Sequence, residues 1–359
     1  MTPHASPNGT RIERGNGESL PQYTARDFTT DQEVRWCPGC GDYAVLAAVR
    51  KALPDLPIRK EDYVFVSGIG CAARFPYYME TYGMHSVHGR SLAVATGVKV
   101  ANPDLKVCVV SGDGDLLSIG VGHTVHTMRR NVDLSIVLLN NRIYGLTKGQ
   151  YSPTSEQGKV TASTPVGSVD FPLNPIAIAA AADCGFIARA IDVDLKRLDP
   201  VLKRALQHRG TSFVEVYQDC NIFNHQAWFY ASQKDTMPEH TVWCEHGRPL
   251  VFGAANDKGI RLNGSKPELI QLGGEFSVAD CLVHDETDRN LVSIYARMTH
   301  PEFPEPMGVL FADPSRPTYE RLVHDQLEQQ VEKAWGDRGE PTDDDLQALL
   351  TGHESWTVR

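Results

Sequence analysis

The sequence predicts an α/β protein in which a mostly parallel sheet carries helices on both faces. Two observations carry this expectation. Short β-branched or aromatic runs alternate with helix-length segments, the pattern of βαβ units joined by right-handed crossovers. The strand runs are also apolar nearly throughout, as burial on both faces requires. In chain order the strand runs are Tyr63 to Ser67, Lys106 to Ser111, Leu134 to Leu139 and Phe213 to Tyr217. Helices are expected near Tyr43 to Leu53, Leu92 to Ala101, Leu116 to Arg130, Pro175 to Asp183 and Leu198 to His208. The organised region spans residues 29–231. Residues 1–28 lack hydrophobic periodicity and are rich in Gly, Asn, Ser and Pro, so they read as a flexible N-terminal arm. Residues 232–359 mix Pro, Gly and charge with an expected helix at Tyr319 to Trp335 and an acidic stretch from Glu340 to Asp345. They read as a C-terminal extension that wraps a partner.

Composition bounds the function. With 359 residues, 41% hydrophobic and 22% charged, the chain is an ordinary globular one. No apolar run approaches the ~20 residues that cross a bilayer. The polar start from Met1 to Gln22 carries no signal core, so a cytoplasmic protein is expected. A net charge of −10 opposes general binding to nucleic acid or an anionic membrane, which needs surplus Lys and Arg. Eight cysteines without a secretion signal suit metal ligation better than a disulfide framework.

Four unusual loops, Gly68 to Ala72, Gly112 to Asp115, Asn140 to Gln150 and Gln218 to Asn221, each follow a strand run directly. In a parallel sheet they meet at the carboxyl edge, where ligands bind at a topological switch point. Gly112-Asp113-Gly114-Asp115 is followed 25 residues on by Asn140-Asn141. Glycines beside an acidic residue at a strand end bring backbone amides close to a phosphate, and the carboxylate holds a divalent cation with other oxygen ligands. A structural turn is the alternative. Trp36-Cys37-Pro38-Gly39-Cys40-Gly41 turns two thiols toward one point, which suits zinc, a redox dithiol or an iron–sulfur cluster. Cys71 and Cys220 lie in loops of the same edge, so four thiolates could assemble there; small buried cysteines are the bland reading. Cys108 and Cys184 read as core thiols, whereas Cys244 and Cys281 have no partner motif. His88-Gly89-Arg90 suits anion contact. Arg74 and Lys148, two cations near that edge, suit an anionic substrate such as a dicarboxylate, unless both are merely solvated.

These motifs, with Ser67-Gly68-Ile69-Gly70-Cys71 and Tyr144-Gly145-Leu146-Thr147-Lys148-Gly149-Gln150, occur in this order in a known family. Over about Glu33 to Asn224 the chain resembles the β subunit of 2-oxoacid:ferredoxin oxidoreductases, most closely the 2-oxoglutarate branch. The resemblance implies a diphosphate-type thiamine-diphosphate-binding domain. It implies Mg²⁺ on Asp113, Asn141 and the Ile143 carbonyl, and one [4Fe-4S] cluster on Cys37, Cys40, Cys71 and Cys220. Ile69, Gly70, Cys71, Ala72, His88, Gly114, Asp115, Gly145 and Leu146 would line the cofactor, with Arg74, Lys148 and His88 as catalytic residues. The implied reaction converts a 2-oxoacid and coenzyme A to acyl-CoA and CO₂, with electrons leaving to ferredoxin. The pyrimidine-binding half would come from an α (or fused γ/α) subunit. Alternatives are pyruvate or another 2-oxoacid as substrate, or a zinc-stabilised non-catalytic subunit. Two positions depart from the family pattern: Arg74, where several relatives have Lys, and Asn221, where relatives often have Pro. The chain has no Cys-x-x-Cys-x-x-Cys run for further clusters, so external ferredoxin is the expected acceptor. Arg35 and Arg74 are candidates for its basic docking patch.

Overall fold

The computed structural model describes residues 21–335 and 342–352. Most of the expected arm, residues 1–20, and Glu340 of the acidic stretch lie outside the described residues. Among the described residues the strands are β1 (Tyr63–Ser67), β2 (Tyr82–His85), β3 (Lys106–Gly112), β4 (Leu134–Asn140), β5 (Phe186–Ile191), β6 (Ser212–Tyr217), β7 (Thr241–Cys244), β8 (Val251–Phe252), β9 (Lys258–Asn263), β10 (Lys266–Gln271) and β11 (Glu305–Ala312). Eight of them form one sheet in the order β2-β1-β3-β4-β6-β5-β11-β7; β8 to β10 form a separate antiparallel sheet. Every pairing in the large sheet is parallel except β11 with β5.

Both faces of the large sheet are covered. Along β3 and β4 alternate residues point to opposite sides. Val107, Val109, Ile136 and Leu138 join one apolar cluster, while Cys108, Val110, Val137 and Leu139 join the other. Helices α1 (Asp42–Ala52), α2 (Ser91–Ala101), α3 (Asp113–Leu117), α4 (Val121–Arg130), α5 (Pro175–Ala181) and α6 (Leu195–Gln207) divide between them. Val45 and Val49 of α1 and Leu198 and Leu202 of α6 pack in the second cluster, Leu92 of α2, Met128 of α4 and Ile176 of α5 in the first. The helix expected from Leu116 to Arg130 is two helices. The break falls at Ser118 to Gly120, where a Cβ on Gly120 would stand 2.4 Å from the Asp115 carbonyl oxygen.

Three differences from expectation share a physical basis. The sheet does not stop at residue 231, because β7 and β11 continue it beyond β5. Cys244 on β7 and Cys281 are buried, which accounts for two thiols without a motif. At the other end of the chain, Phe28 is fully buried and its ring lies 5.8 Å from that of Tyr63, so the last residues of the expected arm pack on the sheet.

One buried ionic cluster fastens β11. Arg189 on β5 donates from Nε to Glu215 on β6 at 2.8 Å and from Nη1 to Glu305 on β11 at 2.9 Å. All three residues are nearly inaccessible. Arg189→Ala would leave two buried carboxylates without a counter-charge, a loss of about 3–5 kcal/mol. The denaturant midpoint of the purified chain measures it, and an unchanged midpoint would contradict the assignment.

Candidate functional site

Strands β1, β3, β4 and β6 stand side by side, so the loops that leave their carboxyl ends open on one edge. A cavity of about 450 Å³ lies there. Ile69, Gly70, Cys71 and Ala72 from the β1 loop, Asp113, Gly114 and Asp115 after β3, and Asn141, Ile143, Gly145 and Leu146 after β4 all line it, together with His88.

Asp115 holds three of these segments together. Its Oδ1 accepts from the Ile69 amide at 3.0 Å, the Gly89 amide at 2.7 Å and His88 Nδ1 at 2.7 Å. Its Oδ2 accepts from Ser111 Oγ at 2.6 Å. With Nδ1 donating, a neutral His88 ring keeps Nε2 as an acceptor for a ligand. Glycine is required at position 68, where a Cβ would stand 1.9 Å from Asp115 Oδ2.

Asp113, 1% exposed, opens α3 with its carboxyl at the cavity. Burial pushes its pKa up, opposed by hydrogen bonds from Ser152 and Thr154, the latter at 2.6 Å. Asn141 Oδ1 accepts from the Ile143 amide at 3.1 Å, a local turn that ties Ile143 to the asparagine. The Tyr144 hydroxyl donates to the Gly114 carbonyl at 2.9 Å and closes the loop over α3. A buried carboxylate, an amide oxygen and a nearby carbonyl make an all-oxygen donor set that fits a hard divalent cation.

The four cysteines suggested by sequence come from three loops that are tied to one another. Asn221 Nδ2 donates to the Pro38 carbonyl at 2.6 Å, the Gly41 amide to the Asp219 carbonyl at 3.3 Å, and Trp36 Nε1 to the Cys71 carbonyl at 2.7 Å. Within the first loop the Cys40 amide reaches the Cys37 carbonyl at 3.0 Å, with Gly39 at φ +82°. A Cβ on Gly145 would lie in van der Waals contact with both sulfurs, 3.4 Å from Cys220 Sγ and 3.7 Å from Cys71 Sγ, which places this backbone beside the two cysteines. Among the described residues no three His, Cys, Asp or Glu side chains are already closed to metal-binding distance. Burial pushes the Cys40 and Cys71 thiols up, Cys71 to about 12, with the neighbouring cysteines and Asp42 adding to the effect. A cation among the sulfurs would reverse that balance, so the donor set fits a thiolate-bound metal or cluster. Cys108 and Cys184 are buried core thiols, pushed by desolvation to about 11 and about 12.

Two expected catalytic residues lie off this cavity. Exposed Arg74 lines a neighbouring cavity of about 370 Å³ that shares Ile69, Gly70 and Leu146 with the first. Lys148 lines neither and is exposed at a turn with φ +74°.

Comparison with known proteins agrees with this arrangement. Residues 68–216 match the C-terminal TPP-binding domain of thiamine pyrophosphate enzymes. The chain is 48% identical to the 2-oxoglutarate oxidoreductase subunit KorB of Mycobacterium tuberculosis, over 93% of this chain and 88% of that one. It is 44% identical to subunit beta of 2-oxoacid:ferredoxin oxidoreductase 1 of Aeropyrum pernix, over 64% of this chain and 72% of the relative. The chain belongs to the β subunits of the 2-oxoacid:ferredoxin oxidoreductases. A solved 2-oxoglutarate:ferredoxin oxidoreductase from Magnetococcus marinus, with 2-oxoglutarate, coenzyme A and succinyl-CoA bound, superimposes with a TM-score of 0.71 at 30% identity. The match covers 93% of this chain and 98% of that one. Among the described residues no helix is long and apolar enough to cross a membrane.

Several residues of this oxidoreductase subunit escaped the sequence reading. Asp42, the first residue of α1, is buried at the cavity with Oδ1 unpartnered, and burial followed by the charge of Asp192 pushes it to about 7. At a helix start an Asp reads as a favourable end charge, which hides its burial. Thr154 sits in a 34-residue segment without helix or strand between β4 and α5, where no periodicity marks it.

Asp115→Ala would leave donors in two cavity loops unpaired, at about 1–3 kcal/mol for each buried one. Hydrogen exchange at residues 68–72 and 86–90 should speed up, with Asp115→Asn intermediate because it keeps one acceptor oxygen. Unchanged exchange in both variants would refute the tie.

Proposed function

We propose that this β subunit, with an α or fused γ/α partner, catalyses the oxidative decarboxylation of 2-oxoglutarate with coenzyme A. The products are succinyl-CoA and CO₂, and electrons pass through one [4Fe-4S] cluster to ferredoxin. The observation that carries the reading is the meeting, on one sheet edge, of the Asp113–Asn141–Ile143 oxygen set with three tied loops bearing four cysteines. Names of relatives support the substrate: the M. tuberculosis subunit is named for 2-oxoglutarate, and so is the solved enzyme.

Asp113, Asn141 and the Ile143 carbonyl would hold Mg²⁺, while Gly114, Asp115, Gly145 and Leu146 line the diphosphate. Ile69, Gly70, Cys71 and Ala72 form the wall between cofactor and cluster, and Cys37, Cys40, Cys71 and Cys220 ligate the cluster. Thiamine diphosphate, when bound, supplies the electron sink that lets a 2-oxoacid lose CO₂, and a thiolate-held cluster accepts electrons singly. His88, fixed by Asp115, offers Nε2 to hold a proton or a polar group of the substrate. Arg74 meets the distal carboxylate from the neighbouring cavity. Lys148, on the same loop as the cavity-lining Gly145 and Leu146, adds positive charge outside the cavity.

Anaerobic co-purification with the partner subunit tests this. The complex should be brown, carry about four irons per β chain and reduce a viologen with 2-oxoglutarate and coenzyme A. Colourless protein with one zinc, or β subunit alone turning over at the rate of the complex, would sink it. Arg74→Ala and Lys148→Ala should each raise KM for 2-oxoglutarate about 10-fold, the size of one lost charge-assisted hydrogen bond. KM for pyruvate should change far less, and equal effects on both substrates would remove the dicarboxylate assignment.

A further inference from the structure

One buried side chain touches both halves of the site and has no part in the reaction as described. Gln218 follows β6, is 1% exposed and lines the cofactor cavity. Its Oε1 accepts from Asn141 Nδ2 at 2.8 Å, and its Nε2 donates to Cys40 Sγ at 3.4 Å and to the Asp219 carbonyl. Its backbone amide donates to the Asn140 carbonyl at 3.0 Å, so the carboxamide hangs from the strand end that also launches Asn141. Packing fixes the rotamer: a Cβ on Gly41 would approach Gln218 Cγ at 3.0 Å.

These contacts settle the orientation of two amides at once. Exchanging O and N in Gln218 would set its NH₂ against the NH₂ of Asn141 and its oxygen against sulfur. The observed arrangement keeps Nδ2 of Asn141 occupied and leaves Oδ1 as the atom at the Ile143 turn, in the cavity that Asp113 also lines. An asparagine free to rotate would present an NH₂ to a cation half the time. At the other end, an N–H dipole aimed at a thiolate sulfur withdraws negative charge and favours the more reduced form of whatever metal centre that sulfur binds.

We propose that Gln218 is a positioning residue shared by the two centres, orienting Asn141 for the cation and raising the reduction potential of the cluster through Cys40. The inference rests on the function proposed above. It concerns residues acting through others, since Gln218 itself ligates nothing.

Two variants of the anaerobic complex separate the two ends of the amide. Gln218→Leu removes both contacts: the dissociation constant for Mg²⁺-thiamine diphosphate, measured by calorimetry on cofactor-depleted complex, should rise about 10-fold or more. The midpoint potential from an EPR-monitored redox titration should fall. Gln218→Glu keeps an acceptor for Asn141, offers no N–H to Cys40 and adds a negative charge, so the potential should fall further than in the leucine variant while the dissociation constant stays near that of the unaltered complex. A merely structural role would lower stability and leave the potential in place. A cluster-bearing leucine variant with both quantities unmoved would overturn the proposal, and if it does not fold, the near-isosteric Gln218→Met, which also lacks both contacts and adds no charge, is measured in its place. Zinc without iron in the unaltered complex would overturn the parent reading and this inference with it, an outcome recognised before any variant is made.

Discussion

Burying the Asp115 carboxylate is the constraint on which the site depends. A carboxylate at 1% exposure is costly unless each lone pair finds a donor, and here the donors come from three different segments. Ile69 belongs to the loop after β1, His88 and Gly89 to the loop before α2, and Ser111 to β3 itself. Satisfying one side chain therefore fixes two loops that have no regular hydrogen bonding of their own. It also dictates glycine at 68, where a Cβ would strike Oδ2, whereas glycine at 120 answers to the Asp115 backbone carbonyl at the break between α3 and α4.

The same economy of ties operates at the cysteines. None of the loops carrying them is long enough to fold alone, and each is held by one or two hydrogen bonds to another. Asn221 stands where relatives often have proline, and its side chain gives a reason for tolerance. A proline would stiffen the Cys220 loop from within, whereas the Asn221 amide fastens that loop to Pro38 from outside. Rigidity by φ restriction is exchanged for rigidity by a cross-loop bond.

Much of the core domain was legible because its signals are local. Near-continuous apolarity in β3 and β4, the Gly112-Asp113-Gly114-Asp115 motif and its spacing to Asn140-Asn141 are properties of contiguous residues. What escaped depends on distant partners. The run Phe186 to Ile191 carries an arginine at its centre, which reads against a buried strand until Glu215 and Glu305 are brought beside it. Strand β2 is exposed along its whole length and has no buried face to betray it. Strands β7 and β11 lie in a segment whose Pro and Gly content suggests irregularity, yet Gly308 sits at φ +97° in a close approach to the Cys244 carbonyl, and the proline of β11 lies at the strand's second residue. Gln218 and Thr154 are polar residues in loops, and nothing in their neighbours' identity distinguishes them from solvated ones. Lys148 shows the converse: a motif can name a residue without fixing where its side chain stands before a partner arrives.

The polar groups missed by sequence form one connected path. Glu305 on β11 pairs with Arg189 on β5, Arg189 with Glu215 on β6, and Glu215 accepts from Asn140 Nδ2 at 2.8 Å at the end of β4. Asn140 Oδ1 lies 2.9 Å from the Thr154 hydroxyl, which donates to Asp113 at 2.6 Å. From Glu305 to Asn140 each member fills a valence that the next would otherwise leave empty in a low-dielectric interior, and the single Thr154 proton serves Asp113 or Asn140 in turn. The C-terminal strands are therefore connected, through Arg189, Glu215 and Asn140, to the hydrogen bonds around Asp113. A chain ending near residue 231 would keep every motif of the site and lose Glu305, leaving Arg189 with one carboxylate and an open sheet edge beside β5. The motifs define the chemistry, but the hydrogen bonds around Asp113 connect to strands that carry no motif at all.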